Sequence, residues 1–240
     1  MITLGITVCC NLFAGGLSYL ILYTDLFKSK RIQKRGYRTS GIFWKRAPLI
    51  AFNLSVLMTI TYIGLSFTEE VFSWAFPSNL LWGSLLVIAQ CTTLVVIDDA
   101  YFYWFHRTLH ENRWLYQKIH VIHHRAFSPF PLEYIYVHPL EWMIGAGGIP
   151  IGLSLIYYTQ GSISVWAFWI FAAWRNLHEI DIHSGLVSRW SHKIPLFGTT
   201  EHHDQHHLKN SKGNYSSTFT FWDQLLGTDL KPLQRKKRRS

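Results

Sequence analysis

Cysteine is nearly missing from this chain: there are three in 240 residues, Cys9, Cys10 and Cys91, each inside an apolar run. No C-x-x-C, no Cys/His zinc spacing and no C-x-x-C-H occurs, which excludes a disulfide framework, a thiolate zinc ribbon and a covalently attached haem. A G-x-G-x-x-G loop is also missing, so the chain has no dinucleotide fingerprint of its own. Charge is scarce at 15% of residues, and acidic side chains (14) are outnumbered by basic ones (23), giving a formal net charge of +9. That excess does not read as a nucleic-acid surface. The basic residues gather at Lys28–Arg46 and Arg235–Arg239, beside apolar segments or the chain end, as membrane-flanking charge on the cytoplasmic side does.

Aromatic residues are abundant at 16%, with 11 Trp, and mean hydropathy is only +0.09. The chain therefore meets lipid but keeps a sizeable polar part outside it. Apolar runs cover 2–23, 47–67, 80–97, 140–158 and 163–174; about twenty residues at 1.5 Å each suffice to cross a bilayer. The first reads as an anchor with its N-terminus on the non-cytoplasmic side, because its positive charges follow it, whereas a cleaved signal carries them first. The aromatic piece Val71–Pro77 looks interfacial. The runs at 140–158 and 163–174 form a hairpin that enters and leaves on one face, with Gly145, Gly147, Gly148, Pro150 and Gly152 allowing close contact or a break. Short helices and turns are expected beyond 176, with a turn at Gly213-Asn214. The expected fold is an all-α integral membrane protein of about four transmembrane helices under a cytosolic histidine-rich helical cap. Its organisation is a transmembrane region at 1–95, a catalytic domain at 96–230 that includes the hairpin at about 140–175, and a basic tail at 231–240.

Thirteen histidines are spread unevenly. H-R-T-L-H at 106–110 places two imidazoles on one helical face. H-V-I-H-H at 120–124 and H-H-D-Q-H-H at 202–207 repeat an H-x-x-H-H pattern. The eight rings His106, His110, His120, His123, His124, His203, His206 and His207 exceed what one tetrahedral zinc can use and fit two metal ions with four or five imidazoles each. His183 is a further expected ligand. His138, His178 and His202 are left open between ligand and hydrogen-bonded ring, and His192 reads as surface. Asp181, Asp204, Glu179 and Glu201 stand where they could accept the second N–H of a ligating ring. Asp98-Asp99 could bind a polar group of a ligand, but one of them is expected rather to cap the helix carrying His106 or to bond a ligand imidazole.

These boxes resemble the fatty acid hydroxylase/sterol desaturase superfamily of membrane di-iron oxidases. The stretches Asp99–His110, His138–Glu141, Ile180–Gly185 and Gly213–Asp229 resemble its 4-methylsterol monooxygenase branch, over roughly 95–230. The resemblance implies two irons held by the eight box imidazoles with His183 and His138. It also implies dioxygen as co-substrate and hydroxylation or desaturation of a lipid C–H bond, a sterol methyl carbon before a fatty acyl chain. Electrons would come from a b-type cytochrome or ferredoxin with an NAD(P)H-dependent reductase. The membrane would be the endoplasmic reticulum in a eukaryote or the inner membrane in a bacterium, with the histidines facing the cytoplasm. One departure is Leu177-His178-Glu179, where that branch more often has Glu-Thr before Ile-Asp. Two rivals remain at this stage. A zinc-dependent membrane hydrolase would need an open zinc site with a carboxylate base such as Glu201. A metal transporter would place histidine or acid within the spans, and 2–23, 47–67 and 80–97 hold no histidine. Zinc in a purified sample would not decide the matter, since it can replace iron among imidazoles.

Overall fold

The computed structural model describes residues 2–33, 41–188, 191–208 and 212–230. Residues 34–40 of the first basic run and the basic tail Arg235–Arg239 lie outside them. Three long helices come first: α1 (Ile2–Tyr23), α2 (Ile42–Thr68) and α3 (Leu80–Glu111). Next follow α4 (Arg113–Leu115), a π turn at Tyr116–His120, α5 (Val121–His124) and a 3-10 turn at Pro131–Ile135. Then come α6 (Pro139–Gly145), α7 (Gly148–Gln160) and α8 (Val165–Ile182), and α9 (Thr200–His207) and α10 (Phe221–Leu226) are the last described helices. Four stretches are long and apolar enough to cross a membrane: Ile2–Tyr23, Ile42–Val71, Leu80–Glu111 and Pro139–Gln160. The fold is thus an all-α membrane architecture, as the hydropathy pattern implies.

Small and hydroxylic residues set the packing. The stripe of α1 that is buried consists of Thr3, Thr7, Cys10, Asn11, Ala14, Ser18 and Ile21, at helical spacing. Thr7, Asn11 and Ser18 turn a donor back onto the carbonyl four residues earlier, which satisfies them locally in an apolar surrounding. Residues of this stripe also receive partners from elsewhere. Trp169 Nε1 donates to Thr3 Oγ1 (3.1 Å), the amide of Leu132 to Ser18 Oγ (2.9 Å) and Tyr134 OH to Asn11 Oδ1 (3.0 Å). At the α3–α7 crossing, a Cβ on Gly148 would lie 2.6 Å from Asp98 Cα, and one on Gly152 would lie 3.1 Å from Leu94 Cδ2. The glycine cluster is therefore a close helix contact, and its break falls at Ala146-Gly147 between α6 and α7.

The two ends of the bundle differ. At one, the two-residue strands β1 (Phe72–Ser73) and β2 (Ile163–Ser164) pair in parallel, and Gln90 of α3 bonds Gln160, Ser162 O and Ser164 N. At the other lie the C-terminal ends of α3 and α8 and all the histidine boxes. There Arg46 of α2 pairs with the fully buried Glu133 and donates to Arg125 O (2.8 Å). Asn53 of α2 donates to both Ile135 O and Val137 O at 2.9 Å.

Two expectations change. The region beyond 176 begins as an extension of α8 for two further turns, carrying His178, Glu179 and Asp181 on a helix. Asp98 and Asp99 neither cap a helix nor touch an imidazole, because α3 runs unbroken for 32 residues and needs no cap at that point. Asp98 Oδ2 instead accepts from Arg175 Nε at 2.7 Å, and Asp99 holds the C-terminal segment.

Candidate metal centre

Each histidine is delivered by a local device. His106 and His110 lie one turn apart near the end of α3. Asn112 then stops the helix, its side chain accepting from the amides of Trp114 (3.0 Å) and Leu115 (3.1 Å). The chain doubles back through the π turn, which brings His120, His123 and His124 against α3. Thr199 caps α9 by accepting from the amide of His202 (3.2 Å), and α9 presents His203, His206 and His207. His183 arrives at the end of α8.

Nine buried imidazoles gather into two groups, each with its nitrogens within 4.8 Å of one another: His106, His110, His120, His124 and His206 in one, and His123, His183, His203 and His207 in the other. The boxes do not map one to one onto the groups. His120 and His124, four apart, serve the five-imidazole group while His123 between them serves the other. In the last box His203 and His207 serve the four-imidazole group and His206 the first.

The proton positions can be read from the acceptors. His106 Nδ1 faces Tyr215 O (2.8 Å), His206 Nδ1 faces Gly213 O (2.8 Å) and His183 Nδ1 faces Glu179 O (2.9 Å). A carbonyl only accepts, so each Nδ1 carries the hydrogen and each Nε2 carries a lone pair. Those lone pairs point at other ring nitrogens: His106 to His120 at 3.2 Å, His206 to His110 at 3.1 Å, His183 to His203 at 2.9 Å. Burial, reinforced by neighbouring rings, pushes His120, His123, His124, His203, His206 and His207 well below the ordinary imidazole value of 6.5, so these rings are neutral. Neutral imidazoles converging lone pair to lone pair are a donor set for cations, and the residues fit two metal ions.

Three expected candidates lie outside both groups. His138 Nδ1 accepts from the amide of Leu140 (3.2 Å) and caps α6. His178 stacks on Trp174 at 5.4 Å and its Nε2 faces Ser217 O (3.1 Å). His202 turns toward Asp223 (3.6 Å) and Asp229 (3.7 Å). His192 is half exposed beside Glu201, at 3.1 Å. Neither Asp181 nor Asp204 touches a ring of the groups among the described contacts. The main-chain carbonyl of Asp181 accepts from Thr200 Oγ1 (3.1 Å), and Asp204 Oδ1 accepts from Gln33 Nε2 (2.8 Å).

The carboxylate that does reach a box imidazole is Glu141, whose Oε1 lies 2.7 Å from His120 Nδ1. Its signal was Glu three residues after the His138 cap, which places it in the first turn of α6 facing α3. Replacing Glu141 with leucine leaves the His120 N–H unpartnered, and metal affinity is expected to fall by about 10- to 100-fold. Metal retained against a graded chelator measures this; Glu141→Gln keeps an acceptor and should retain most of the affinity. Equal losses in the two variants would contradict the orienting role.

A cavity of about 60 Å³ touches rings of both groups, His106 and His120 on one side and His123, His183 and His203 on the other. Phe102, Tyr134, Val137 and Trp142 form its apolar wall, and Arg175 and Glu179 lie on its margin.

Comparison with known proteins identifies relatives over most of the chain. The model of the family described as fatty acid hydroxylase matches residues 91–228. Methylsterol monooxygenase 1 of Rattus norvegicus is 34% identical over 214 residues, covering 88% of this chain and 71% of that protein. The Danio rerio protein of the same name is 36% identical over 213 residues, with the same coverage of 88% and 71%. A very-long-chain aldehyde decarbonylase of Oryza sativa subsp. indica is 32% identical over 244 residues, covering 94% of this chain and 85% of that protein. The likeness thus extends well before residue 95, into the membrane helices. No solved structure matches the chain significantly.

Proposed function

Since the chain belongs to the fatty acid hydroxylase family, and is thus an oxidoreductase that modifies lipid, we propose that it holds two irons in its imidazole groups and oxidises a methyl carbon of a sterol. The observation that carries this reading is the cavity onto which both groups open. Bound iron would supply the activation of dioxygen: C–H, O₂, two electrons and two protons give C–OH and water. The chain's own residues do the rest. Glu141, Glu179 and the carbonyls of Gly213 and Tyr215 fix the ring orientations. Phe102, Tyr134, Val137 and Trp142 keep water from the reacting carbon.

The name of the rat and zebrafish relatives favours a sterol methyl as the carbon oxidised. Five imidazoles in one group leave no open position on a tetrahedral zinc, which argues against the hydrolase. Electrons come from an external carrier, a b-type cytochrome or ferredoxin with its reductase, and the imidazole end faces the cytoplasm, where the described basic residues Arg31 and Arg46 also lie.

Mass spectrometry of lipids from cells with and without the protein tests the assignment. A gain of about 14 or 16 mass units on a sterol, the difference for CH₂ to CO or C–H to C–OH, is the expected result. Unchanged sterols beside an altered acyl lipid would refute the sterol reading, and iron absent from active protein would refute the metal assignment.

A further inference from the structure

The segment Gly213–Asp229 crosses over α3 as a strap, and two buried carboxylates tie it down. Asp99 lies seven residues before His106, two turns back on the same face of α3. Its Oδ1 accepts from the amides of Thr218 (2.9 Å) and Phe219 (3.4 Å), and its Oδ2 from Trp222 Nε1 (2.9 Å). Asp223, fully buried, closes the strap on itself. Its Oδ1 accepts from the amide of Tyr215 (2.9 Å) and Thr228 Oγ1 (2.7 Å), and its Oδ2 from the amide of Ser216 (2.9 Å). Tyr103 of α3 bonds the same Thr228 hydroxyl at 2.8 Å. Asn214, at φ 53°, donates to His202 O (3.0 Å) and accepts from the amide of Leu230 (2.7 Å).

All this machinery fixes two carbonyls. Tyr215 O orients His106 and Gly213 O orients His206, both in the five-imidazole group. The four-imidazole group receives no ring acceptor from the strap among the described contacts. His183 relies on Glu179 O, a main-chain carbonyl of α8. Ser217 Oγ does reach Glu179 Oε1 (2.7 Å), but the helix holds the carbonyl without it.

We propose that Asp99 and Asp223 are positioning residues for one metal of the pair: through the strap carbonyls they orient His106 and His206, and so govern retention in the five-imidazole group alone. Loosening the strap lets two of five rings turn away, while the four-imidazole group keeps its ligands. The inference rests on the two-metal reading above.

The test uses full-length protein loaded with ferrous iron and measured by elemental analysis after dialysis against a fixed chelator. Wild type is expected to retain two ions per chain, and Asp99→Asn and Asp223→Asn about one, from an affinity loss of about 10- to 100-fold in the first group. Combining Asp223→Asn with His106→Ala should add nothing to His106→Ala, whereas combining it with His183→Ala should empty the protein. Thr228→Val, a gentler cut that removes one bond to Asp223, gives the same selective loss to a smaller extent if the carboxylate variants do not purify as a single species. Two ions retained in every strap variant would sink this inference and leave the two-metal reading standing. So would parallel loss of both ions from well-folded variants. A wild type that binds no metal would sink both.

Discussion

Replacing His123 with alanine should abolish lipid oxidation and remove one of the two metal ions while the helices remain. His123 is one of only four imidazoles in its group, its Nε2 lies 3.4 Å from that of His183, and it sits in the wall of the cavity where the substrate carbon would enter. A catalytic metal contributes several kcal/mol of transition-state stabilisation, and each 1.36 kcal/mol is tenfold in rate, so a loss of about 10³-fold or more is expected. Turnover of a labelled sterol, with iron content measured on the same sample, checks this. His192→Ala serves as the control, because that ring is half exposed and outside both groups. Activity within about tenfold of wild type in His123→Ala would overturn the assignment.

The largest effect on stability is expected from Glu133→Ala. Glu133 is fully buried; it pairs with Arg46, and its Oε2 accepts from the amide of Phe130 at 3.1 Å. Removing it leaves a guanidinium with 10% side-chain exposure without its counter-charge, and breaking a buried pair from one side costs about 3–5 kcal/mol. Arg46 would keep its bond to Arg125 O and its place over the Tyr136 ring, 4.8 Å from the centroid. Neither neutralises the charge. The loss is read as a lower midpoint of thermal unfolding in detergent. The double variant Arg46→Met/Glu133→Leu should recover much of it, since an apolar pair of similar volume avoids the orphaned charge. A single variant as stable as wild type would show that water reaches this pair. The pair also clamps α2 to the turn that supplies Tyr134 and Val137, so part of the cavity wall shares its stability.

Much of the site was visible in the sequence because a metal centre built from side chains leaves its residue types in plain view. The boxes at 106–110, 120–124 and 202–207 supplied eight of the nine gathered rings, and His183 the ninth. The spans were visible for a similar reason, since an apolar run of the right length has few other uses. The assignment of rings to groups was not. It depends on the π turn at Tyr116–His120, which rotates one box relative to α3, and nothing in Y-Q-K-I-H announces a π turn. The acceptors for His106, His206 and His183 are main-chain carbonyls, which carry no residue signature at all. Asp98 and Asp99 were misjudged because two adjacent acids at the end of an apolar run look like a helix boundary. Their partners, Arg175 and the amides of Thr218 and Phe219, lie 77 to 120 positions away, beyond the reach of local pattern.

The unbroken course of α3 acts as a depth gauge. From Leu80 to His106 the rod measures about 39 Å at 1.5 Å per residue, against a hydrocarbon layer of about 30 Å. Set upright from one boundary of that layer, the rod would carry its imidazoles past the other, so the proposed oxidation would reach carbons near a lipid's polar end and pass over the same kind of bond at mid-bilayer.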